Sequence, residues 1–186
     1  SFVPIAEKSR LIGKISEFVL NEGCHQNALW QKLGYPKIVM SINFTSTDFY
    51  QNDLKDRVLD ALVRTDLDPK WLEVELTETI ALSDIDFAVG QMNKLRDLGV
   101  KLAMDDFGTG YSSLSYLQIL PITLLKLDRS FITDIQNDNI AYEIVSAVIS
   151  IAKSKHIKTI AEGVENTKQE DILRQAGCDY GQGYLY

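Results

Sequence analysis

Two spacings of apolar residues alternate along this chain, and together they predict strands and helices in turn. Short apolar runs bounded by polar residues or glycine are typical of buried strands, whereas apolar residues three and four apart predict helices. Runs of the first kind predict six strands, at residues 38–43, 72–77, 101–104, 124–128, 158–162 and 180–186. The helical spacing predicts helices at residues 1–21, 28–33, 48–64, 84–98, 112–120, 139–154 and 167–176, with Gly23 ending the first.

The regular alternation of strand and helix indicates an α/β protein with a mainly parallel sheet. An open doubly wound sheet and a (β/α)8 barrel both fit this order. The barrel is favoured because nearly every strand ends on a polar side chain, and a barrel gathers such residues from many strand ends at one face. These residues are Asn43, Glu75, Asp105, Lys126, Glu162 and Gln182.

The number of strands predicts an incomplete barrel. Six strands are predicted here, whereas a closed barrel of this type has eight strands and about 250 residues. The chain also opens with a helix that no strand precedes. We therefore expect residues 1–186 to form a single (β/α)8 TIM-like barrel domain that lacks its first strands and its last helix.

Residues 101–114 contain the strongest candidate for a metal site. Leu102, Ala103 and Met104 predict a buried strand, and the adjacent carboxylates of Asp105 and Asp106 follow it. Side chains on a strand alternate between faces, so both aspartates point the same way only if the strand ends between them. We expect solvent or a bound cation to compensate their charges there, because burying unpaired carboxylates costs several kcal/mol each.

Composition restricts the classes of partner. The chain has 186 residues, 45% apolar and 24% charged, with a formal net charge of −7. This charge argues against binding to DNA or RNA polymers, although a bound cation can reverse the local field and admit a phosphate ligand. Cys24 and Cys178 have neither zinc-site nor disulfide spacing. We expect a cytoplasmic domain, or the cytoplasmic domain of a membrane-anchored protein, with no membrane span within this chain.

The residue types at the strand ends predict a particular chemistry. Carboxylate and amide oxygens without histidine or cysteine suit Mg²⁺ or Mn²⁺ rather than Zn²⁺. One or two such ions would polarise a phosphoryl group and acidify a bound water. Lys126 would supply a positive charge to a phosphate oxygen or to a developing hydroxide. No serine or cysteine has a base partner that would indicate a covalent mechanism. The pattern therefore predicts metal-assisted hydrolysis of a phosphodiester.

Each candidate also has a structural interpretation when it is taken alone. Asn43 is a helix-capping residue type, Asp105 and Asp106 before a glycine are typical of a turn, and Gln182 lies between glycines. Glu75 and Glu78 have the alternative of flanking a solvated turn, which is the preferred interpretation for Glu73. Structural roles are also preferred for His25 and His156 on helices and for Tyr111 and Tyr116 at the core or rim. The joint occurrence of polar residues at successive strand ends favours the functional interpretation.

Six short motifs are recognisable at or near the strand ends. They are Ser-Ile-Asn at 41–43, Glu-Leu-Thr-Glu at 75–78, Asp-Asp-Phe-Gly-Thr-Gly-Tyr-Ser-Ser-Leu at 105–114, Lys-Leu-Asp at 126–128, Ala-Glu-Gly-Val-Glu at 161–165 and Gly-Gln-Gly-Tyr at 181–184. With these motifs the chain resembles the EAL-type cyclic di-GMP phosphodiesterase domain along essentially its whole length. The resemblance implies a (β/α)8-like barrel with one antiparallel strand.

The resemblance also implies Mg²⁺- or Mn²⁺-dependent hydrolysis of cyclic di-GMP to the linear dinucleotide pGpG at a two-metal site. Asn43, Glu75 and Asp105 would bind one metal ion. Asp105 would bridge to a second ion, which Asp106 would bind. The Glu-Ala-Leu signature of the family, whose glutamate is a further ligand, is absent, and we expect it just upstream of Ser1. The truncated chain on its own is therefore expected to bind metal weakly.

Other site residues follow from the same resemblance. Glu162 would be a water-mediated ligand or a general base, Lys126 would hold the attacking water, and Gln182 would support the catalytic face. Asp128 and Glu165 are implied to bind substrate.

The turn after the two aspartates resembles the family's mobile loop, which links metal binding to dimerisation. Its switch residues would be Phe107, Gly108, Thr109 and Gly110, with Glu78 as their anchor. The resemblance further implies a homodimer and fusion to sensory or cyclase domains. The alternative function is a non-catalytic cyclic di-GMP receptor, a role taken by family members that have lost several site residues.

Overall fold

The computed structural model describes residues 11–108 and 116–186. Its six strands are β1 (Met40–Asn43), β2 (Leu72–Thr77), β3 (Lys101–Phe107), β4 (Leu124–Leu127), β5 (Lys158–Glu162) and β6 (Tyr180–Gln182). Its helices are α1 (Ile12–Lys32), α2 (Ser46–Phe49), α3 (Leu54–Thr65), α4 (Glu78–Ser83), α5 (Ile85–Asp97), α6 (Arg129–Thr133), α7 (Asn139–Ser154) and α8 (Thr167–Ala176). Single 3₁₀ turns cover Pro69–Trp71 and Tyr116–Gln118. The predicted alternation of strands and helices is confirmed.

The described residues divide into two compact units, one of residues 11–76 and 82–102 and one of residues 77–81, 103–108 and 116–186. In the first unit β1 and β2 pair in parallel, with Met40 opposite Leu72 and Asn43 opposite Glu75. All of residues 72–76 are buried, as is typical of a parallel strand covered on both faces. Whether residues 1–186 form a single domain stays a prediction.

Helix α1 runs unbroken through Gly23, so the prediction that Gly23 ends a helix, with another starting at residue 28, is wrong. A Cβ atom on Gly23 would lie 3.1 Å from Cδ1 of Ile42 and 3.4 Å from Cγ of Met40. The glycine therefore lets α1 approach β1 closely. This contact offsets the cost of a glycine inside a helix, which is about 1 kcal/mol relative to alanine.

The helix predicted at residues 48–64 is two helices, α2 and α3. Thr45 begins α2 with a capping box, in which its Oγ1 accepts a hydrogen bond from the Asp48 backbone N–H and the Asp48 carboxylate accepts one from the Thr45 N–H. Such a reciprocal pair gives hydrogen-bond acceptors to two backbone N–H groups that have no partner within the helix. Asp48 is therefore the third residue of a short helix, and a new helix begins at Leu54.

In the second unit β3, β4, β5 and β6 lie side by side in chain order, and each neighbouring pair is parallel. Helix α7 packs on β5, and its residues Val145, Val148, Ile149 and Ala152 are buried. The predicted elements at residues 139–154, 158–162 and 167–176 are confirmed with the same bounds. The carboxyl ends of these strands therefore meet at one edge of the sheet.

Four other predictions differ from the structure. The strand predicted at 38–43 begins at Met40, and the short helices α4 and α6 were not predicted. The last strand ends at Gln182 rather than residue 186, and the next residue, Gly183, lies so close to the Val164 backbone that a Cβ would overlap it. In the helix predicted at 112–120, residues 112–115 lie outside the described residues, and Tyr116–Gln118 form one 3₁₀ turn. None of the helices in the described residues has the length and apolar composition that crossing a bilayer requires.

Candidate active site

A β-bulge brings Asp105 and Asp106 into one group. Met104 pairs with Leu125 and Phe107 pairs with Leu127, so β3 takes three steps where β4 takes two. Asp106 has a left-handed backbone with φ +54°, and its N–H donates a hydrogen bond of 3.0 Å to Oδ1 of Asp105. An extra residue of this kind redirects side chains next to a site. The prediction that the strand ends between the aspartates is therefore wrong. The strand continues to Phe107, and the bulge redirects the side chains within it.

Three carboxylates converge at the carboxyl ends of β3 and β5. One oxygen each from Asp105, Asp106 and Glu162 lies within 4.8 Å of the others, and all three residues are partly buried. Strand β4 lies between the two strands that carry them. The structure thus brings together three of the residues that the sequence identified from separate strand ends.

Lys126 on β4 points into this group. Its Nζ lies 2.8 Å from Oδ1 of Asp105 and 2.8 Å from Oε1 of Glu162. The side chains of Lys126, Asp105 and Glu162 are only 12%, 15% and 19% exposed, so solvent screens these ion pairs weakly. We name the four residues Asp105, Asp106, Lys126 and Glu162 the carboxylate–lysine cluster.

The electrostatics of the cluster favour a cation. Burial raises the pKa of the Asp106 carboxyl, the charges of Asp105 and Asp128 raise it further, and Lys126 opposes them. Three carboxylates against one ammonium leave an excess of negative charge in a poorly solvated place. The three clustered acidic residues offer carboxylate oxygens, which are the ligands that Mg²⁺ and Mn²⁺ prefer. The donor set therefore fits the predicted divalent metal.

Glu78 contacts the turn that follows β3. Its Oε2 accepts a hydrogen bond of 2.8 Å from the Gly108 N–H, and the residue is only 2% exposed. Gly108 has φ +100°, and a Cβ there would overlap the ring of Phe131. Phe107 is buried, and the predicted switch residues Thr109 and Gly110 lie outside the described residues. The contact agrees with the predicted anchoring role of Glu78, which stays a prediction.

The predicted substrate-binding residues have clear local roles. Asp128 begins α6, where its carboxylate accepts a hydrogen bond of 2.9 Å from the Ser130 N–H. Burial raises the pKa of Asp128, but hydrogen bonds from Ser130 and from the Arg129 backbone outweigh it, so the pKa is lowered. Oε1 of Glu165 lies 2.7 Å from Nη2 of Arg129. The exposed Gln182 ends β6 and lines a cavity with Arg129 and Glu165.

Asn43 and Glu75 lie in the first unit, where they are register partners on β1 and β2. Asn43 is exposed, and Glu75 is 7% exposed. Glu73 is also 7% exposed, and its Oε1 accepts a hydrogen bond of 2.6 Å from Oγ of Ser41. The alternative that Glu73, Glu75 and Glu78 flank a solvated turn is therefore wrong, because all three are buried.

Arg129 is a candidate that sequence analysis missed. It follows the Lys-Leu-Asp motif directly, which was the available signal, but a single arginine at a strand exit is usually a solvated residue. Its position becomes informative only with Gly163 from the next strand exit, whose φ of +73° and missing side chain make room for the Arg129 stem. His25 and His156 are exposed.

The EAL domain family model matches residues 1–186, which is the whole chain. The chain belongs to the EAL domain family. The bifunctional diguanylate cyclase/cyclic di-GMP phosphodiesterase MucR of Pseudomonas aeruginosa is 41% identical over 184 residues, covering 99% of this chain and 27% of the relative. The oxygen sensor protein DosP of Escherichia coli is 35% identical over 185 residues, covering 100% of this chain and 23% of the relative. This chain thus spans about a quarter of the length of these curated relatives.

Solved EAL structures share the fold. The PaMucR phosphodiesterase in complex with c-di-GMP matches with a TM-score of 0.92 and 41% identity, over 99% of this chain and 74% of that chain. The (β/α)8 TIM-like fold that the sequence predicted is therefore confirmed, with six strands in the described part of this EAL domain.

Proposed function

We propose that this EAL domain hydrolyses one phosphodiester bond of cyclic di-GMP to give linear pGpG, and that the reaction depends on Mg²⁺ or Mn²⁺. The observation that carries the proposal is the carboxylate–lysine cluster, in which three acidic groups and one ammonium meet at the carboxyl ends of adjacent parallel strands. Relatives named as cyclic di-GMP phosphodiesterases support the substrate, as does the c-di-GMP complex of PaMucR.

Asp105, Asp106 and Glu162 would hold the divalent ion or ions, since their oxygens lie within 4.8 Å of one another. A bound ion of this kind supplies Lewis acidity to a phosphoryl oxygen and lowers the pKa of water. Asn43 and Glu75 remain predicted ligands, and each offers an oxygen donor. Gln182 remains a predicted supporting residue of the catalytic face.

Lys126 and Glu162 have the geometry of a pair that handles water. The Lys126 ammonium has three donors, and ion pairs to Asp105 and Glu162 fix its Nζ. The positive charge of this ammonium can stabilise a developing hydroxide or a phosphate oxygen. Glu162 is placed beside that ammonium, and its carboxylate can accept the proton that the water loses.

The test is an assay of the full-length protein with cyclic di-GMP, with Mg²⁺ or Mn²⁺ or with a chelator, and detection of pGpG by anion-exchange chromatography. We expect pGpG only with the metal. Glu162→Gln should lower the turnover rate by about 100-fold or more, the usual contribution of a positioned base. Glu22→Gln makes the same change at an exposed position of α1 and should leave turnover unchanged. Binding of cyclic di-GMP without turnover would instead support the receptor function.

The setting of this activity is also part of the proposal. MucR combines two activities in its name and is about four times longer than its match to this chain. We propose that the EAL domain acts in the cytoplasm within a longer protein that carries sensory or cyclase domains, and that it works as a homodimer. Light scattering on the full-length protein, with and without cyclic di-GMP, would give the mass that tests the dimer.

A further inference from the structure

A fully buried carboxylate follows the predicted metal ligand Asn43 at a short distance along the chain. Asp48 is 0% exposed and is the third residue of α2. Its Oδ2 accepts hydrogen bonds of 2.6 Å from two hydroxyl groups, those of Ser16 and Thr45. Burying a carboxylate is costly unless hydrogen bonds and an opposite charge compensate it. The contacts of Asp48 therefore indicate which parts of the first unit it holds together.

Asp48 joins three helices. Ser16 lies on α1 and is 6% exposed, and Thr45 precedes α2. Within the part of the chain that the structure describes, Oδ1 of Asp48 accepts no hydrogen bond, but Nη2 of Arg57 on α3 lies 3.7 Å from it and balances its charge. Nη1 of Arg57 also donates a hydrogen bond of 2.9 Å to Oε1 of Gln51, just after α2. The carboxylate thus ties the start of α2 to α1 and α3.

A second buried polar residue holds the other end of α2. Gln91 on α5 is 2% exposed, and its Nε2 donates hydrogen bonds of 2.8 Å to the Gln51 carbonyl oxygen and of 3.3 Å to that of Phe49. Helix α2 has only four residues, which is too short for a helix to be stable alone. Its place in the first unit therefore depends on these buried contacts at both of its ends.

Only one residue, Phe44, separates Asn43 from this anchored segment. Asn43 is the last residue of β1 and lies opposite Glu75, and the Phe44 N–H donates a hydrogen bond of 3.1 Å to the Glu75 carbonyl oxygen. The Asn43 side chain is exposed, so the backbone on either side of it determines where its amide points. Strand β1 fixes that backbone on one side, and the Thr45 cap fixes it on the other.

We infer that Asp48 is a positioning residue, which acts through Thr45 and α2 to hold the Asn43 amide ready for a divalent cation. A metal ligand binds well only if its oxygen stays in place, and residues that orient ligands are worth about 10- to 100-fold in metal affinity. The inference rests on the proposed function, in which Asn43 is a ligand of the Mg²⁺ or Mn²⁺ ion.

The test measures the dissociation constant for Mn²⁺ with the full-length protein and no nucleotide, from the electron paramagnetic resonance signal of the free ion. Asp48→Ala should raise this constant by about 10-fold, and Asn43→Ala should raise it as well. Because Asp48 acts through Asn43, the double variant should bind Mn²⁺ no more weakly than Asn43→Ala alone. A purely structural role would lower stability, which urea unfolding measures, without changing the Mn²⁺ affinity of the folded protein.

A gentler pair of variants tests the same link at Thr45. Thr45→Val keeps the branched shape but removes the hydroxyl that donates to Asp48, so it should raise the Mn²⁺ dissociation constant. Thr45→Ser keeps the hydroxyl and should leave the constant unchanged. The control is Asp138→Ala, which removes another acidic cap, one whose Oδ1 accepts a hydrogen bond of 2.8 Å from the Ile140 N–H at the start of α7. It should lower stability without changing the affinity for Mn²⁺.

The outcomes are distinct. The inference is overturned if Asp48→Ala binds Mn²⁺ as tightly as the unsubstituted protein, or if its full effect persists alongside Asn43→Ala. If Asp48→Ala does not fold, the Thr45 pair decides: equal affinities of the two variants overturn the inference, and a loss in Thr45→Val that Thr45→Ser does not show supports it.

The same measurements separate this inference from the proposed function. If the unsubstituted protein binds no Mn²⁺, the inference and the proposed metal dependence both fail. If Asp48→Ala weakens Mn²⁺ binding as expected but the unsubstituted protein makes no pGpG, the proposed function fails while the inference is supported. If pGpG is made and Mn²⁺ binding is insensitive to Asp48 and Thr45, the inference alone fails.

Discussion

At the scale of single residues, Lys126 provides the positive charge that partly compensates the carboxylates of the cluster. An ammonium that is 12% exposed is costly unless acidic groups compensate it, and here Asp105 and Glu162 do so at 2.8 Å each. The same ammonium limits how much negative charge a metal ion would meet. Lys126 thus stabilises the fold without a metal ion and weakens the attraction for one.

Replacing this lysine therefore has two opposite effects. Lys126→Ala should lower the free energy of unfolding by about 2–3 kcal/mol, since it leaves two weakly solvated carboxylates without a cation. It should also increase the stabilisation by Mg²⁺, because ligand binding to the folded state adds stability in proportion to the logarithm of its affinity. The proposed turnover should be lost. Urea unfolding with and without Mg²⁺ measures the first two effects, and the pGpG assay measures the third.

A surface pair provides the comparison for this result. Arg174→Ala breaks the exposed Arg174–Glu170 ion pair and should cost no more than about 1 kcal/mol, with no change in the response to Mg²⁺. If Lys126→Ala responds to Mg²⁺ no more than the unsubstituted protein does, the cluster is not the place where the cation binds.

The sequence indicated the residue types at this site better than their geometry. Asp105, Asp106, Lys126 and Glu162 were recognisable because charged groups rarely end apolar strands without a reason. The bulge was not recognisable in the sequence. It depends on how β3 pairs with β4, and pairing between separate segments leaves no local pattern. Arg129 was missed for a related reason, since its position depends on Gly163 from another strand exit.

At the scale of elements, prediction succeeded where local signals agreed. The bounds of α7 and α8 follow from the capping residues Asp138 and Asn166 and, for α8, from Gly177 at φ +83° after its last turn. Prediction failed where a residue serves packing between elements, as Gly23 does against β1. It also failed for the short helices α4 and α6, because five or six residues are too few for the helical spacing of apolar residues to repeat.

Asp179 connects β5 to the loop before β6 and should make stability depend on pH. Its Oδ1 lies 2.6 Å from Nζ of Lys158, and its Oδ2 accepts a hydrogen bond of 2.9 Å from the Thr159 N–H. Burial alone would raise the pKa of Asp179, but the hydrogen bonds from Lys158 and Thr159 outweigh it and lower the pKa below the ordinary value of 3.8. The folded state therefore prefers the ionised carboxyl.

The sign of the pH dependence follows from this lowered pKa. A group with a depressed pKa stabilises the fold above its unfolded value and loses that contribution as the pH falls through the folded value. Asp179→Asn should thus be less stable than the unsubstituted protein at neutral pH, and the gap should narrow as the pH falls below about 3.8. Urea unfolding across this range gives the gap. The control is Asp171→Asn, at an exposed position of α8, which should differ little in stability from the unsubstituted protein at any pH. A stability difference for Asp179→Asn that widens in acid would contradict the lowered pKa of Asp179.

At the scale of the whole molecule, net charge and ligand charge oppose each other. The chain carries a formal charge of −7, and the proposed substrate is a dianion, so long-range attraction cannot bring them together. Local positive charge near the cluster would come from the Lys126 ammonium, the Arg129 guanidinium and the proposed divalent cation. Binding should therefore depend on these few positive groups rather than on the field of the whole protein.

The two compact units each contain one cysteine, so thiol labelling follows each unit separately. Cys24 lies in the first unit with 0% exposure, and burial raises the pKa of its thiol to about 11. Cys178 lies in the second unit, is partly exposed, and has a pKa that burial raises despite its hydrogen bonds. Because the thiolate is the reactive form, both should react slowly in the folded protein, and Cys24 more slowly.

We expect N-ethylmaleimide to label Cys24 at pH 7.5 more than about 100-fold more slowly in the native protein than in urea, since both its thiolate fraction and its access are reduced. Mass spectrometry of the two cysteine peptides from the full-length protein gives both rates in one experiment. The rate for Cys24 should rise with denaturant, because labelling then requires the first unit to open. Rapid labelling of Cys24 in the absence of denaturant, with Cys178 still protected, would show that α1 does not pack on β1 as described.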